Sequence, residues 1–193
     1  MRFWFGVVMF LASFYLTVVL FAGSGRGDAR SAAGAVMSAS VSPEVEGQFM
    51  AVLRELCGEE SALPVSYFLY DLSGDGVPEL WVDSGTCEAD RMLSVYRYTP
   101  KGARRVLHTA SGHTSYYVGR NYVILRLAHM GDDVRTYYRW RKGKPAKYRT
   151  KRLTVGPEGD YVEPAEPCVE PNVFDSDDTA LKPLRLMSAD SDE

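Results

Sequence analysis

The fold is decided by residues 67–82, which read YFLYDLSGDGVPELWV. Apolar and aromatic side chains at both ends of this run are typical of β-strands, and its polar, glycine-containing centre is typical of a tight turn. We therefore expect a strand, a loop and a second strand. The loop also places oxygen-bearing groups at alternate positions, as short loops do when they surround a hard cation such as Ca²⁺.

The oxygen-bearing groups of this loop occupy positions 1, 3, 5, 7 and 9 when the first aspartate is position 1. They are the side chains of Asp71, Ser73, Asp75 and Glu79 and the backbone carbonyl of Val77. Gly76 stands at position 6, where the backbone must turn back on itself. The three carboxylates lie so close in sequence that they repel one another unless something neutralises them. We therefore predict a calcium site with a dissociation constant of about 10⁻⁴–10⁻³ M, as in extracellular modules.

The loop is not a complete EF-hand. Val82 stands at position 12, where an EF-hand has a bidentate glutamate, and the flanking segments are predicted strands rather than helices. The alternative interpretation is a β-hairpin in which aspartate and glycine only form the turn. A pair of catalytic carboxylates is not expected, because an exposed turn desolvates its carboxylates too little to raise a pKa.

One helix precedes these strands in the sequence. Ser42 is suited to cap it, Pro43 to begin it, and apolar residues recur at helical spacing as far as about Cys57. Short segments rich in tyrosine, valine, leucine and arginine follow, separated by turn residues. The predicted strands are residues 65–70, 79–83, 92–98, 104–109, 115–118, 122–128, 135–141 and 146–154. The expected fold is α+β, with one N-terminal amphipathic helix packed on a curved antiparallel β-meander of seven or eight strands.

By composition, the 193 residues divide into four segments. Residues 3–22 are almost wholly apolar, so residues 1–25 are expected to be a signal peptide or an uncleaved N-terminal membrane anchor. Residues 26–41 are expected to be a flexible linker, residues 42–156 a globular domain, and residues 157–193 an acidic, proline-rich, irregular tail. The sequence thus predicts an exported protein that is secreted, periplasmic or anchored at the cell surface. Only residues 3–22, if they are retained, would contact the membrane.

Charge is distributed unevenly between the predicted domain and its tail. Residues 42–157 contain 17 Lys/Arg against 13 Asp/Glu, whereas residues 158–193 contain 2 against 11. Positive charge is densest over residues 135–152, where nine of eighteen residues are basic and none is acidic. This run indicates either an ordinary solvated sheet face or a site for an anionic cell-surface polymer. Nucleic acid is not expected as the partner of an exported chain.

The run from Tyr67 to Leu80 follows the pattern Y-x-L-x-D-h-x-G-D-G-h-P-E-L, in which h is an apolar residue. Shorter stretches follow it, namely GTCEAD at residues 85–90, GH at 112–113 and HMG at 129–131. Together they resemble a group of small secreted or surface-anchored bacterial proteins of unknown function. The resemblance spans about residues 43–155. It implies an exported, calcium-binding module and implies no enzymatic activity.

The loop alone also resembles the strand–loop–strand calcium hairpin of FG-GAP-type propeller blades, in which positions 1, 3, 5 and 9 are carboxylates. Ser73 departs from that pattern at position 3, which removes a charge and lowers the expected affinity. The chain also has a single copy of the motif, whereas propellers repeat it.

A second set of polar residues comes together if residues 113–129 form a hairpin about residue 121. This places His113 opposite His129, and the loop with Glu88 and Asp90 is expected at the same end of the sheet. Two imidazoles with carboxylates suit a transition metal or acid–base chemistry. The alternative function is therefore a surface-localised metal-dependent hydrolase that uses this set. Histidines at hairpin ends more often bond to the backbone, so we favour a binding module, with a cell-surface polymer or another exported protein as its partner.

The cysteines are Cys57, Cys87 and Cys168, which allow one disulfide in an oxidising compartment. Both Cys57–Cys87 and Cys87–Cys168 are compatible with the expected fold. The absence of any Cys-x-x-Cys spacing from the sequence excludes a zinc ribbon.

Overall fold

The computed structural model describes residues 41–58, 64–154 and 162–187. The predicted signal peptide or anchor at residues 1–25 lies outside the described residues, as does almost all of the predicted linker. Within the described residues, no helix is long and apolar enough to cross a membrane. The helical elements are α1 (Pro43–Gly58) and a short 3₁₀ helix (Glu88–Asp90).

Eleven strands are found among the described residues. They are β1 (Val65–Tyr70), β2 (Glu79–Ser84), β3 (Met92–Arg97), β4 (Arg104–Ala110), β5 (Thr114–Gly119), β6 (Tyr122–His129), β7 (Asp132–Arg141), β8 (Lys144–Thr154), β9 (Val169–Glu170), β10 (Asn172–Phe174) and β11 (Arg185–Leu186). The first eight correspond to the eight strands predicted from the sequence. The last three lie in the segment that was predicted to be an irregular tail.

Helix α1 begins where the sequence predicts. The Ser42 hydroxyl accepts a hydrogen bond from the Val45 N–H at 3.4 Å, and the Ser42 carbonyl accepts one from the Glu46 N–H at 2.9 Å. Pro43, which has no N–H to satisfy, occupies the first helical position. The buried face of the helix is formed by Val45, Phe49, Met50 and Leu53.

The antiparallel strands form two main sheets. The five-stranded sheet has the order β10-β1-β2-β3-β4, the four-stranded sheet has the order β5-β6-β7-β8, and β9 pairs with β11. The break lies between β4 and β5. A Cβ on Gly112 would lie 2.5 Å from the Glu88 carbonyl oxygen, and His113 has a left-handed backbone with φ of 53°. This tight corner redirects the chain. One helix on an antiparallel meander fits the expectation in outline, whereas the predicted count of seven or eight strands is corrected to eleven among the described residues.

Both faces of the five-stranded sheet are buried. On one face the helix packs against a cluster formed by Val65, Tyr67, Leu69, Leu80, Val82 and Phe174. On the other face, Phe68, Leu72, Trp81, Leu93 and Val95 pack against Tyr116, Val118, Val123, Leu125 and Tyr138 of the four-stranded sheet. Trp81 is fully buried and stacks on Phe68, with 5.5 Å between ring centroids. The order of layers is therefore helix, sheet, sheet.

The segment predicted as a separate tail contributes to both cores. Phe174 on β10 pairs with Val65 on β1, so β10 completes one edge of the five-stranded sheet. Val169 is buried in the core between the sheets. The regular structure found in residues 162–187 consists of the short strands β9, β10 and β11. The three cysteines are free thiols, and neither disulfide allowed by the sequence is formed.

Two valines of this segment provide a matched test of its contribution. Replacing Val169 with alanine is expected to lower the free energy of unfolding by about 1–3 kcal/mol, because two buried methyl groups are lost and a cavity remains. Val173→Ala makes the same chemical change at a side chain that is 52% exposed rather than 3% exposed, and its expected effect is within about 0.5 kcal/mol. Urea denaturation measures both. Equal effects would show that the segment does not stabilise the domain.

Candidate functional site

The loop predicted to bind a cation connects β1 to β2. These strands pair in antiparallel register with Tyr70 opposite Glu79, so the strand–loop–strand arrangement is as expected. Gly74 has φ of 76° and Gly76 has φ of 86°. Both values lie in the left-handed region that favours glycine, and this explains why the bend requires glycine at these positions.

Asp71 organises the loop through its carboxylate. One oxygen accepts hydrogen bonds from the Gly74 N–H at 2.7 Å and the Ser73 hydroxyl at 3.1 Å, and the other accepts one from the Gly76 N–H at 2.8 Å. An ionised carboxylate offers about four lone-pair positions. These three bonds therefore leave Asp71 able to accept one further contact on the oxygen that faces Gly76.

Asp75 lies at the exposed tip of the loop. Its Oδ1 accepts a hydrogen bond from the Val77 N–H at 3.0 Å, and its Oδ2 forms an ion pair with Arg97 at 2.9 Å. Partial burial opposes ionisation, but the bonds from Val77, Ser73 and Arg97 outweigh it and lower the pKa of Asp75. Asp75 is thus a stable anion, and a cation that binds it has to compete with the Arg97 guanidinium.

Glu79 is the unusual carboxylate of the loop. Its side chain is buried, with the residue only 1% exposed. The Oε2 atom accepts hydrogen bonds from the N–H groups of Leu72 at 2.9 Å and Ser73 at 3.3 Å, whereas the buried Oε1 has no hydrogen-bond partner. Burial raises the pKa of Glu79 to about 7, with the neighbouring negative charges of Asp71 and Asp75 adding to the effect.

The environment of Glu79 corrects one expectation from the sequence. We expected every carboxylate of the loop to lie on an exposed turn and to keep an ordinary pKa. Glu79 instead begins β2, a strand whose residues from Glu79 to Asp83 are buried. Continuous apolar runs such as Leu80-Trp81-Val82 are typical of strands covered on both faces, and this signal was present in the sequence.

The residues of the loop fit a hard cation in their chemistry, and the bound state requires side-chain movement. As they stand, no three His, Cys, Asp or Glu side chains within the described ranges lie close enough together to hold a metal ion. Oxygen ligands from Asp71, Asp75 and Glu79 nevertheless retain free acceptor positions, and oxygen is what Ca²⁺ requires. Binding through the Asp75 Oδ2 atom would require its release from Arg97.

The two predicted histidines lie side by side. The imidazole rings of His113 and His129 are parallel within 7°, with 4.2 Å between their centroids. The hairpin register pairs Thr114 with Leu127, which differs by one residue from the register that places His113 opposite His129. Both histidines are exposed.

The carboxylates predicted to join these histidines point elsewhere. Glu88 forms an ion pair with Arg91 at 3.2 Å. Asp90 accepts hydrogen bonds from the backbone N–H groups of Thr86 at 2.9 Å and Cys87 at 2.7 Å. The backbone of this loop does reach the corner at Gly112, but its acidic side chains are used within the loop. The structure therefore brings together the imidazoles alone, and not the set that a metal-dependent hydrolase needs.

A buried polar cluster that the sequence analysis missed lies between the sheets. Asp83 accepts hydrogen bonds from the Ser111 hydroxyl at 2.7 Å and the Tyr116 hydroxyl at 2.8 Å, and it forms an ion pair with Arg91 at 3.3 Å. Burial raises the pKa of Tyr116 well above its ordinary value, and the charge of Asp83 adds to this effect. The cluster lines an open cleft of about 320 Å³ that also contacts Cys168. The bond between Asp83 on β2 and Tyr116 on β5 connects the two main sheets.

No family model matches this sequence, and neither a curated protein nor a solved structure matches it. The resemblance stated for residues 43–155 therefore stays an expectation. Function has to be inferred from the geometry of the chain's own residues.

Proposed function

We propose that this protein is an exported binding module whose β1–β2 loop binds Ca²⁺. The ligands are the side chains of Asp71, Ser73, Asp75 and Glu79 and the carbonyl of Val77. The observation that carries the proposal is the buried Glu79 carboxylate, which has one oxygen without a hydrogen-bond partner. A buried acceptor of this kind is costly unless something pairs with it.

A divalent cation removes that cost. Above pH 7 an ionised Glu79 is desolvated and repelled by Asp71 and Asp75. A cation beside the Oε1 atom would offset both effects, because opposite charge favours the ionised form. Affinity is expected to be weak, at about 10⁻⁴–10⁻³ M, since Ser73 contributes no charge and Arg97 competes for Asp75.

The position of the loop suggests what calcium would do for the fold. Tyr70, the last residue before the loop, donates a hydrogen bond of 2.5 Å to the carbonyl of Gly119, the last residue of β5. The loop thus adjoins a point where the two sheets are tied together. Calcium there would stiffen the end of the sandwich, and a cell-surface polymer or another exported protein remains the expected partner.

The proposal is tested by titrating the full-length chain with calcium in a calorimeter. We expect heat of binding, and at about 10 mM Ca²⁺ a gain of about 1–3 kcal/mol in the free energy of unfolding. Asp75→Asn keeps an oxygen that can accept the Val77 N–H but removes one charge, so it is expected to weaken binding about tenfold.

Asp177→Asn is the matched control, because Asp177 is an exposed aspartate outside the loop. It is expected to leave the calcium affinity unchanged. Absence of heat from the unmodified protein, or the same heat from all three proteins, would refute calcium binding by this loop.

A further inference from the structure

The outer face of the four-stranded sheet, which points away from the core, combines tyrosines with cations. Side chains of successive strand residues point to opposite faces, and Tyr116, Val123 and Tyr138 face the core. Their alternating neighbours therefore form the outer face. They include Tyr117, Tyr122, Arg126, Arg135, Tyr137, Arg139, Arg149 and Lys151. The register of β7 and β8 shifts between Tyr137 and Tyr138, which leaves Tyr148 as an extra residue whose ring lies 6.0 Å from that of Tyr137 on the same face.

The chain covers the β5–β6 half of this face with residues 162–168, here called the acidic segment. Glu163 forms an ion pair with Arg126 and accepts a hydrogen bond from the Tyr117 hydroxyl. Glu166 accepts a hydrogen bond from the Tyr122 hydroxyl at 2.5 Å. Burial and the bond to Glu163 raise the pKa of Tyr117 to about 12, so this hydroxyl stays a donor at physiological pH.

The backbone of the acidic segment is bound as well. At the free edge of β5, the Val118 N–H donates to the Pro167 carbonyl at 3.1 Å and Tyr117 forms an isolated antiparallel bridge with Cys168. On the outer face, Arg135 donates to the Val162 carbonyl. The outer face thus holds an extended peptide by its carboxylates and by a carbonyl group.

The β7–β8 half of the same face offers the same chemistry without an acidic partner. Arg139 stacks on Tyr148 with 4.4 Å from guanidinium carbon to ring centroid, and Arg149 stacks on Tyr137 at 5.6 Å. Both arginines and Lys151 are exposed, and none of the ion pairs found among the described residues involves them. Stacking holds the two guanidinium groups in place, which lowers the entropy lost when they bind an anion.

We propose that this β7–β8 half binds an extended acidic peptide, and that it does so beside the acidic segment, which is the chain's own copy of such a ligand. The guanidinium groups of Arg139 and Arg149 would hold carboxylates, as Arg126 holds Glu163. This inference is independent of the calcium site.

A peptide fits better than the anionic cell-surface polymer that the sequence suggested for residues 135–152. Arg135 on β7 donates to the Val162 carbonyl, a peptide group that phosphate polymers lack. A neutral sugar is also disfavoured, because Arg139 and Arg149 already cover one face each of Tyr148 and Tyr137. Free ring faces are what sugar stacking would need.

The test uses the full-length chain and a fluorescent oligoglutamate of about twelve residues, long enough to follow a strand the length of β8. Fluorescence anisotropy is expected to show saturable binding. The double variant Arg139→Gln with Arg149→Gln is expected to weaken it about tenfold, as two partly exposed ion pairs are worth together about 1–2 kcal/mol.

The control is Arg54→Gln with Lys101→Gln, which removes two exposed charges from the helix and the β3–β4 turn. It is expected to change affinity less than about twofold. Inorganic polyphosphate of equal charge is titrated in parallel. The proposal fails if polyphosphate binds as tightly as the peptide and if both double variants change its affinity equally. The surface would then be a general electrostatic one.

A further variant asks whether the two halves form one site. Glu166→Gln removes a charge of the acidic segment while its amide oxygen can still accept the Tyr122 hydroxyl hydrogen. Oligoglutamate is expected to bind about threefold more tightly, because one repelling charge beside the site is gone. Unchanged or weaker binding would contradict a shared face, and thermal melts monitored by circular dichroism check that each variant is folded.

Discussion

Replacing Glu79 with glutamine is expected to raise the free energy of unfolding at pH 8 by up to about 3 kcal/mol when calcium is absent. In the unmodified protein, Glu79 is ionised at this pH, and its buried Oε1 atom has no hydrogen-bond partner. Glutamine has the same shape and carries no charge. The same variant is expected to lose most of its response to calcium, because the buried ligand is gone.

The direction of the pH dependence follows from the folded-state pKa. Folding raises the pKa of Glu79 from 4.5 to about 7. The stability that protonated Glu79 contributes is therefore complete below pH 4.5 and is lost as the pH rises through 7. Calcium is expected to restore it, so its stabilising effect should be larger at pH 8 than at pH 5.

Urea denaturation at pH 5 and pH 8, each with and without calcium, measures these effects. The result expected for Glu79→Gln is a smaller loss of stability between the two pH values and little change with calcium. If the variant proved less stable than the unmodified protein at pH 8 without calcium, the buried charge would not be the cost that we infer.

Replacing Asp133 with alanine is expected to lower the free energy of unfolding by about 3–5 kcal/mol. Asp133 is 1% exposed and lies between two buried arginines. Its Oδ2 is 3.1 Å from Arg126 Nε and 2.9 Å from Arg135 Nη2. Without this carboxylate, the two guanidinium groups would repel each other in a site that is poorly hydrated.

Asp132→Ala is the control for this prediction. Asp132 is the preceding residue on β7 and is exposed, so its loss is expected to change stability by less than about 0.5 kcal/mol. Both variants are compared by urea denaturation, with the acidic segment intact. A loss below 1 kcal/mol for Asp133→Ala would show that Glu163 alone can balance the arginines.

The local elements of the fold were predictable because each has a local cause. The start of the helix follows from the preference of serine and proline for helix N-termini, and the bend at 74–76 follows from the ability of glycine to adopt positive φ. Eight of the nine strands in the two main sheets were likewise recognised from short apolar runs between turn residues, and β10 was not. What the sequence analysis missed was the division into two sheets, because the corner at Gly112 depends on the close approach of the distant Glu88 carbonyl.

The identity of the loop residues in the candidate site was predictable from the sequence, and the burial of their side chains was less so. The spacing of Asp71, Asp75 and Glu79 identified the loop, but the burial of Glu79 depends on the layers that cover β2 on both sides. In the same way, a hairpin over residues 113–129 brings His113 near His129, although the register differs by one residue from the expected one, whereas the orientation of Glu88 depended on Arg91. Side-chain direction is set by tertiary neighbours, which lie far away in the sequence.

The pairing of β1 with β10 has a consequence for how the chain folds. Val65 lies opposite Phe174, so one edge of the five-stranded sheet cannot close until more than a hundred further residues have been added. Contacts between such distant residues slow folding, since the entropy of closing a long loop is lost before the stabilising contacts can form. The five-stranded sheet of a newly made chain therefore stays incomplete until residue 174 has been added, which leaves the β1 edge unpaired until late in synthesis.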